Sequence, residues 1–368
     1  MKTYIAVGTL DYKTYKKDKG LHLVAMNEEG RLSLLDSRYD GLNPSFVAAG
    51  HKPGMVYAVS ERLNSLEIAG YELNRETENL QMRSVVTSDS SGGVCVSLSP
   101  QGKHLAVPCW KSSDILVCAL DSQGNPAQWT CRTELPGGKG ARARQTQPNP
   151  HQVVFDISGR YAVVPDLGAD CIYIAGWEET SGKLKLIEKK EVQPGDGPRH
   201  GVFHPKGPWF YLFSELGLSV SVYEFDYDMK NMHLIQRTEL IPENFWKQYD
   251  GPEIQGAEVK LSPEGRFLFA SIRGYFTEKG EDRLLRMEID SETGKLSHPA
   301  SFSCKGRCPR MFEFSPDGQF LLVCNQEDGQ VVSLAYDPKT GTPGEACDRV
   351  KIEEAAALAF IRTGEQNI

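Results

Sequence analysis

Short apolar runs recur along the whole chain, each followed by a Pro/Asp/Gly turn and a second apolar run. The clearest pair is Leu261-Ser-Pro-Glu-Gly265-Arg-Phe-Leu-Phe-Ala-Ser271 and Phe314-Ser-Pro-Asp-Gly318-Gln-Phe-Leu-Leu-Val-Cys324. Looser copies start at Leu98, Phe155 and Phe203, and a sixth surrounds Gly54. The turn glycines fall at 54, 102, 159, 207, 265 and 318, separated by 48, 57, 48, 58 and 53 residues. An apolar strand, a turn and a return of β-branched and aromatic residues predict a hairpin. Third strands are predicted over 65–71, 114–119, 171–175 and 219–223, and fourth strands over 183–187 and 232–236. Four strands per repeat of about 50 residues, with no long amphipathic helix between them, describe a propeller blade.

The termini set the blade count. Ala357-Leu-Ala-Phe-Ile361 followed by Gly364 is a seventh first strand and turn, after which the sequence given ends. Its return strand is supplied by Tyr4-Ile-Ala-Val7, which precedes blade one and has no other partner. Joining the two ends within one blade closes the ring and removes two sheet edges. The expectation is an all-β fold, a single seven-bladed β-propeller domain over residues 1–368 with four-stranded antiparallel blades. Two separate β-sandwiches would leave the shared turn motif unexplained.

Composition narrows the function classes. The 368 residues carry 41 Lys+Arg against 49 Asp+Glu, a net charge of −8, which argues against a nucleic-acid binder. No apolar run approaches the roughly 20 residues that span a bilayer, and the N-terminal segment reads as a strand and not as a signal peptide. Nine cysteines, several inside apolar runs, fit a reducing compartment, so a cytoplasmic protein is expected. Cys304 and Cys308 are the one close pair, and no second pair completes a set of metal ligands. Neither a metal nor another cofactor is expected, and the oligomeric state is left open.

In a hairpin, residues equally far from the turn share one end of the sheet. Eight positions before the turn glycines lie Phe46, Val94, His151, Arg199, Ala257, Arg310 and Ala356. Eight after lie Trp110, Leu167, Glu215, Arg273 and Gln326, with Glu61 one position early because blade one is a residue shorter. These side chains are expected on the rim opposite the turns, near the central axis. The long connections 136–148, 241–252 and 274–282 enter the same rim, where loops on a rigid scaffold tend to carry function. Arginine there suits bidentate binding of carboxylate or phosphate and stabilisation of an oxyanion. His151 and Glu215 are candidate general bases. The cluster Lys139, Arg142 and Arg144 reads first as a solvated loop, and the remaining histidines read as structural. The absence of a Gly-x-Ser-x-Gly elbow argues against a serine hydrolase.

Several motifs together resemble a known family. They are Asn43-Pro-Ser-Phe46, Arg144-Gln145 with Pro150-His151, Val164-Pro-Asp-Leu-Gly168, Gly197-Pro-Arg-His200, Ser214-Glu215-Leu216, Ala257-Glu258 and Arg273-Gly274. From about residue 3 to 362 the chain resembles the seven-bladed propeller lactonases, which include propeller-type 6-phosphogluconolactonases and the carboxy-cis,cis-muconate cyclase. The resemblance implies a catalytic set of His151, Arg199, Glu215 and Arg273. It implies substrate contacts from Arg144, Gln145, His200, Glu258, Lys260 and Arg310. Two positions depart from the family pattern: Asn149 stands where a histidine is common, and Ala257-Glu258-Val259-Lys260 ends in lysine instead of histidine.

The resemblance implies a metal-independent lactonase acting on a small-molecule lactone or anionic sugar, most simply 6-phosphogluconolactone. Glu215 or His151 would activate water, and Arg199 and Arg273 would polarise the carbonyl. A lactonising or isomerising enzyme for an unsaturated diacid would use the same arginines. A non-catalytic propeller binding a protein or sugar by its loop-rich rim is the third expectation.

Overall fold

Five of the six turn glycines take the left-handed backbone that a tight hairpin requires, with φ of 81° at Gly54, 69° at Gly102, 67° at Gly159, 73° at Gly265 and 67° at Gly318. Gly207 does not, because Pro208 follows it and a proline confines the preceding residue to extended conformations. The computed structural model describes residues 2–15, 18–241, 254–274 and 282–364. Most of the expected rim connections 241–252 and 274–282 therefore lie outside the described residues.

The described residues form 28 strands in seven four-stranded antiparallel sheets. Blade one comprises β4 (Pro44–Ala49), β5 (Met55–Glu61), β6 (Leu66–Asn74) and β7 (Asn79–Ser88), paired in sequence order. First strands of neighbouring blades meet one another and surround the axis, as β16 (Pro198–Phe203) meets β20 (Gln255–Leu261) and β20 meets β24 (Pro309–Phe314). Second strands such as β5, β17 (Trp209–Ser214) and β21 (Phe267–Arg273) are buried at every residue, being covered on both faces by neighbouring blades. Fourth strands alternate, as β7 does, since one face looks to solvent.

The ring closes as the apolar pattern requires. β28 (Ala355–Ile361) pairs with β1 (Thr3–Thr9), placing Ile5 opposite Phe360 and Val7 opposite Leu358. β2 (Leu21–Met26) and β3 (Leu32–Arg38) complete that blade. Gly8 is required there, since a Cβ would stand 2.2 Å from the carbonyl oxygen of Pro44.

The first strands are sheet edges, and five of them are bulged near the rim. The ladder slips between Pro44 and Phe46, Pro198 and His200, Gly256 and Val259, Pro309 and Met311, and Ala355 and Ala357. Three of these bulges begin at proline, which an edge strand tolerates because it needs no donor there. Each bulge re-aims one side chain out of the ladder. Arg199, Arg310 and Ser45 are the residues displaced at the three proline bulges.

The closure should carry much of the stability. Ile5→Ala removes a fully buried side chain from the β1–β28 pair and is expected to cost about 2–5 kcal/mol in urea unfolding, whereas Leu34→Ala, at an exposed position, should stay within about 0.5 kcal/mol. Equal small effects at both sites would contradict the closure.

Candidate active site

The rim opposite the turns holds a cavity of about 360 Å³ on the propeller axis. His151, Arg199, Glu215 and Arg273 all line it, as do Arg144 and Arg310. Glu215 follows the end of β17 and is 3% exposed. Its backbone N–H donates to Gly197 O at 2.9 Å, and its own carbonyl accepts from Gly256 N at 2.9 Å, so two blades fix it.

Three guanidinium groups converge on this carboxylate. Arg199 Nε lies 3.0 Å and Arg273 Nη2 3.1 Å from Oε2, while Arg144 Nη2 reaches Oε1 at 3.3 Å. The Arg199 Nε contact is ionic, because the N–H is not aligned with any acceptor. Burial alone would push Glu215 up, but the charges of Arg273, Arg199, Arg144 and Arg310 outweigh it and hold the carboxyl below its ordinary range. Arg199 is lowered to about 10 by burial and then by Arg273, and remains charged at neutral pH.

His151 lies in the gap between an isolated bridge at Pro150 and β12 (Val154–Phe155). Asp166 builds that gap: its Oδ1 accepts from the N–H groups of Asn149 at 2.7 Å and of Gly168 and Ala169 at 3.0 Å. Burial raises Asp166 to about 6, against those backbone donors. Gly168 is needed because a Cβ would meet Gln147 O at 1.9 Å. Burial, then Arg199, His200, Arg310 and Arg273, hold His151 well below its ordinary value, so it is neutral. Its Nδ1 is buried without a hydrogen-bond partner.

The other expected contact residues divide. Arg310 lines the cavity, and Arg144, with its side chain 43% exposed, stands toward solvent. Gln145 does not line it; its Nε2 donates to Leu167 O at 2.7 Å and Asp170 Oδ1 at 2.6 Å, fastening the 136–148 loop. Arg142 fastens the same loop through Gly195 O and Leu216 O, so this arginine of the expected solvated cluster is drawn inward. His200 and Glu258 are buried behind Arg199 and do not line the cavity. His200 Nδ1 meets Glu258 Oε1 at 3.1 Å, and Arg199 Nη1 lies 2.8 Å from Nδ1 and 3.1 Å from Nε2 of the same ring. These two residues hold Arg199 from behind the cavity wall. Lys260 pairs with Glu313 at 2.7 Å and lines a second cavity, of about 450 Å³, at the turn side of the axis.

The structure also corrects the column drawn through blade one. Phe46 lines the turn-side cavity, and Ser45 occupies the place that Arg199 and Arg310 hold in their blades. The one-residue offset that moves Glu61 forward also moves its partner back. Continuing the count through the closed ring gives Leu10, which lines the rim cavity together with Tyr12, Tyr15 and Asn149. Asn149, at the position where a histidine is common, donates to Trp110 O at 2.8 Å. Among the described residues no group of three His, Cys, Asp or Glu could hold a metal ion.

A family model described as "Lactonase, 7-bladed beta-propeller" matches residues 4–360. The chain belongs to the seven-bladed β-propeller lactonase family. It is 27% identical over 302 residues to a 6-phosphogluconolactonase of Bacillus subtilis (strain 168), covering 81% of this chain and 82% of that one. A 6-phosphogluconolactonase of Formosa agariphila is 26% identical, over 89% of this chain and 91% of its own. The solved structure of a periplasmic gluconolactonase from Pseudomonas aeruginosa superposes with a TM-score of 0.85 at 24% identity, over 99% of this chain and 100% of that one. The Pseudomonas structure thus shares this chain's fold over nearly its whole length.

The buried histidine behind Arg199 gives the stability a definite pH dependence. Burial and then Arg199 lower His200 to about 4, against the opposing pull of Glu258. In the unfolded chain a histidine takes up its proton near 6.5, so between 6.5 and about 4 the unfolded state binds more protons. Stability should therefore fall as pH drops through that window. Melting temperatures of His200→Gln should fall less steeply from pH 7 to 4.5 than those of the wild type, and an unchanged slope would contradict the assignment.

Proposed function

We propose that the rim cavity hydrolyses an anionic sugar lactone, most simply 6-phosphogluconolactone. The observation that carries this reading is the charge balance of the cavity: four arginines line it against two carboxyl groups, Glu61 and Glu215, and three of the four surround Glu215. A buried excess of guanidinium charge favours an anionic ligand and a transition state that develops an oxyanion. The names of the Bacillus and Formosa relatives support the same substrate.

The chemistry follows from the placement. Neutral His151 takes a proton from water as the water oxygen attacks the lactone carbonyl carbon. The charge gathering on the carbonyl oxygen is met by Arg199 and Arg273, whose guanidinium groups Glu215 holds in place. An anionic substrate brings negative charge close to His151 and raises its proton affinity above that of the empty site. Arg144, nearest solvent, and Arg310 are placed for the substrate's phosphate or hydroxyl groups.

Hydrolysis of freshly generated 6-phosphogluconolactone and of gluconolactone, each measured against its spontaneous rate, tests the reading. The wild type should accelerate the phosphorylated lactone more, and Glu215→Gln should lower that turnover about 100-fold or more. No acceleration of either lactone would overturn it, and cyclisation of a muconate-type diacid instead would assign the arginines to carboxylates.

A further inference from the structure

Blade one places a second carboxyl group on the same cavity wall. Glu61 ends β5 at the position that Glu215 holds after β17, and it lines the cavity. Its surroundings differ from those of Glu215 in kind. Trp110 Nε1 donates to Oε1 at 3.2 Å, and Oε2 is buried with no hydrogen bond. Arg310 Nη2 stands 4.0 Å from Oε2, too far to donate, and the Ser45 hydroxyl lies beside the carboxyl. Glu215 is thus an acceptor engaged by three guanidinium groups, whereas one oxygen of Glu61 is left where a proton can sit.

We propose that Glu61 is the general acid of the lactonase, protonating the ring oxygen as it leaves. The proposal rests on the lactone-hydrolysis reading and assigns the half of the reaction that His151 and the arginines do not perform. After water adds, the carbonyl re-forms and the bond from the carbonyl carbon to the ring oxygen breaks. The electron pair goes to the ring oxygen, which takes the proton of Glu61 and becomes a hydroxyl. The proton that His151 took from water returns to Glu61 through solvent, and the product carboxylic acid ionises on release. Two carboxyl groups with opposed environments are the usual arrangement for dividing proton donation from permanent negative charge.

The environment agrees with this division. Burial raises Glu61 above the ordinary carboxyl range, with Arg310, Ser45, Trp110 and Arg199 opposing. Other titratable groups share the wall. His151 and Glu215 are both held low, so they shape the acid side of a rate profile. Tyr12 and Tyr15 also line this wall.

The test is the pH dependence of kcat/KM on 6-phosphogluconolactone, corrected for the spontaneous rate, in wild type, Glu61→Gln and Trp110→Phe. The wild type should lose activity on the basic side as Glu61 deprotonates. Glu61→Gln, isosteric and checked for folding by its melting temperature, should be slower by about 100-fold or more and lack that limb. Trp110→Phe removes a bond that favours the ionised carboxyl, so its limb should move to higher pH. A Glu61→Gln enzyme that keeps the wild-type rate, or keeps the limb, would overturn the proposal while leaving the lactonase reading intact. A limb unmoved in Trp110→Phe would overturn it equally. A wild type that accelerates no lactone would remove the reading and this proposal with it.

Discussion

The arrangement of the axis depends on keeping charged groups buried without leaving them uncompensated. Taking a guanidinium or carboxylate out of water costs several kcal/mol, and an isolated one would lose its charge or disrupt the fold. Here the groups are assembled as a connected set. Glu258 holds His200, His200 and the Ala257 carbonyl hold Arg199, and Arg199, Arg273 and Arg144 surround Glu215. Each link satisfies the next, so the set remains ordered while still presenting positive charge to the cavity. That surplus is what a ligand anion would complete.

The propeller supplies the rigidity that such a set needs. The charged residues come from neighbouring blades, Arg199, His200 and Glu215 from the sheet that contains β16 and β17 and Glu258 and Arg273 from the sheet that contains β20 and β21, so the packing of one blade on the next sets their spacing. The second strands are buried throughout, and the pairing of β1 with β28 fixes the first blade relative to the last. Bulges at Pro198 and Pro309 turn Arg199 and Arg310 out of their ladders toward the axis. The asymmetry of the site arises because the equivalent position in blade one is Ser45, which leaves room beside Glu61 for a different environment.

Much of this was legible before the structure. The turn glycines report backbone geometry directly, so the repeat, the blade count and the ring closure follow from spacing. The same spacing brings His151, Arg199, Glu215, Arg273 and Arg310 together, because distance from a turn is conserved through a hairpin. What spacing does not encode is the bulge. A bulge changes which of two successive side chains leaves the ladder, and it separates Ser45, toward the rim, from Phe46, toward the turn-side cavity. Nor does a motif reveal direction at right angles to a strand. Gln145, His200, Glu258 and Lys260 lie within or beside the motifs that carry the family resemblance, yet they fasten a loop, orient Arg199, or face the other cavity. Correcting the blade-one offset on both strands would have found Ser45, and carrying the count across the closed ring would have found Leu10.

On the proposed function, the arginine-lined rim cavity receives an anionic sugar acid or its lactone. A crystal structure with the product 6-phosphogluconate tests it most directly. The account predicts the carboxylate against Arg199 and Arg273, with the phosphate toward Arg144 and the solvent side. Product bound only at the turn-side cavity beside Lys260, or absent from the axis at saturating concentration, would contradict it.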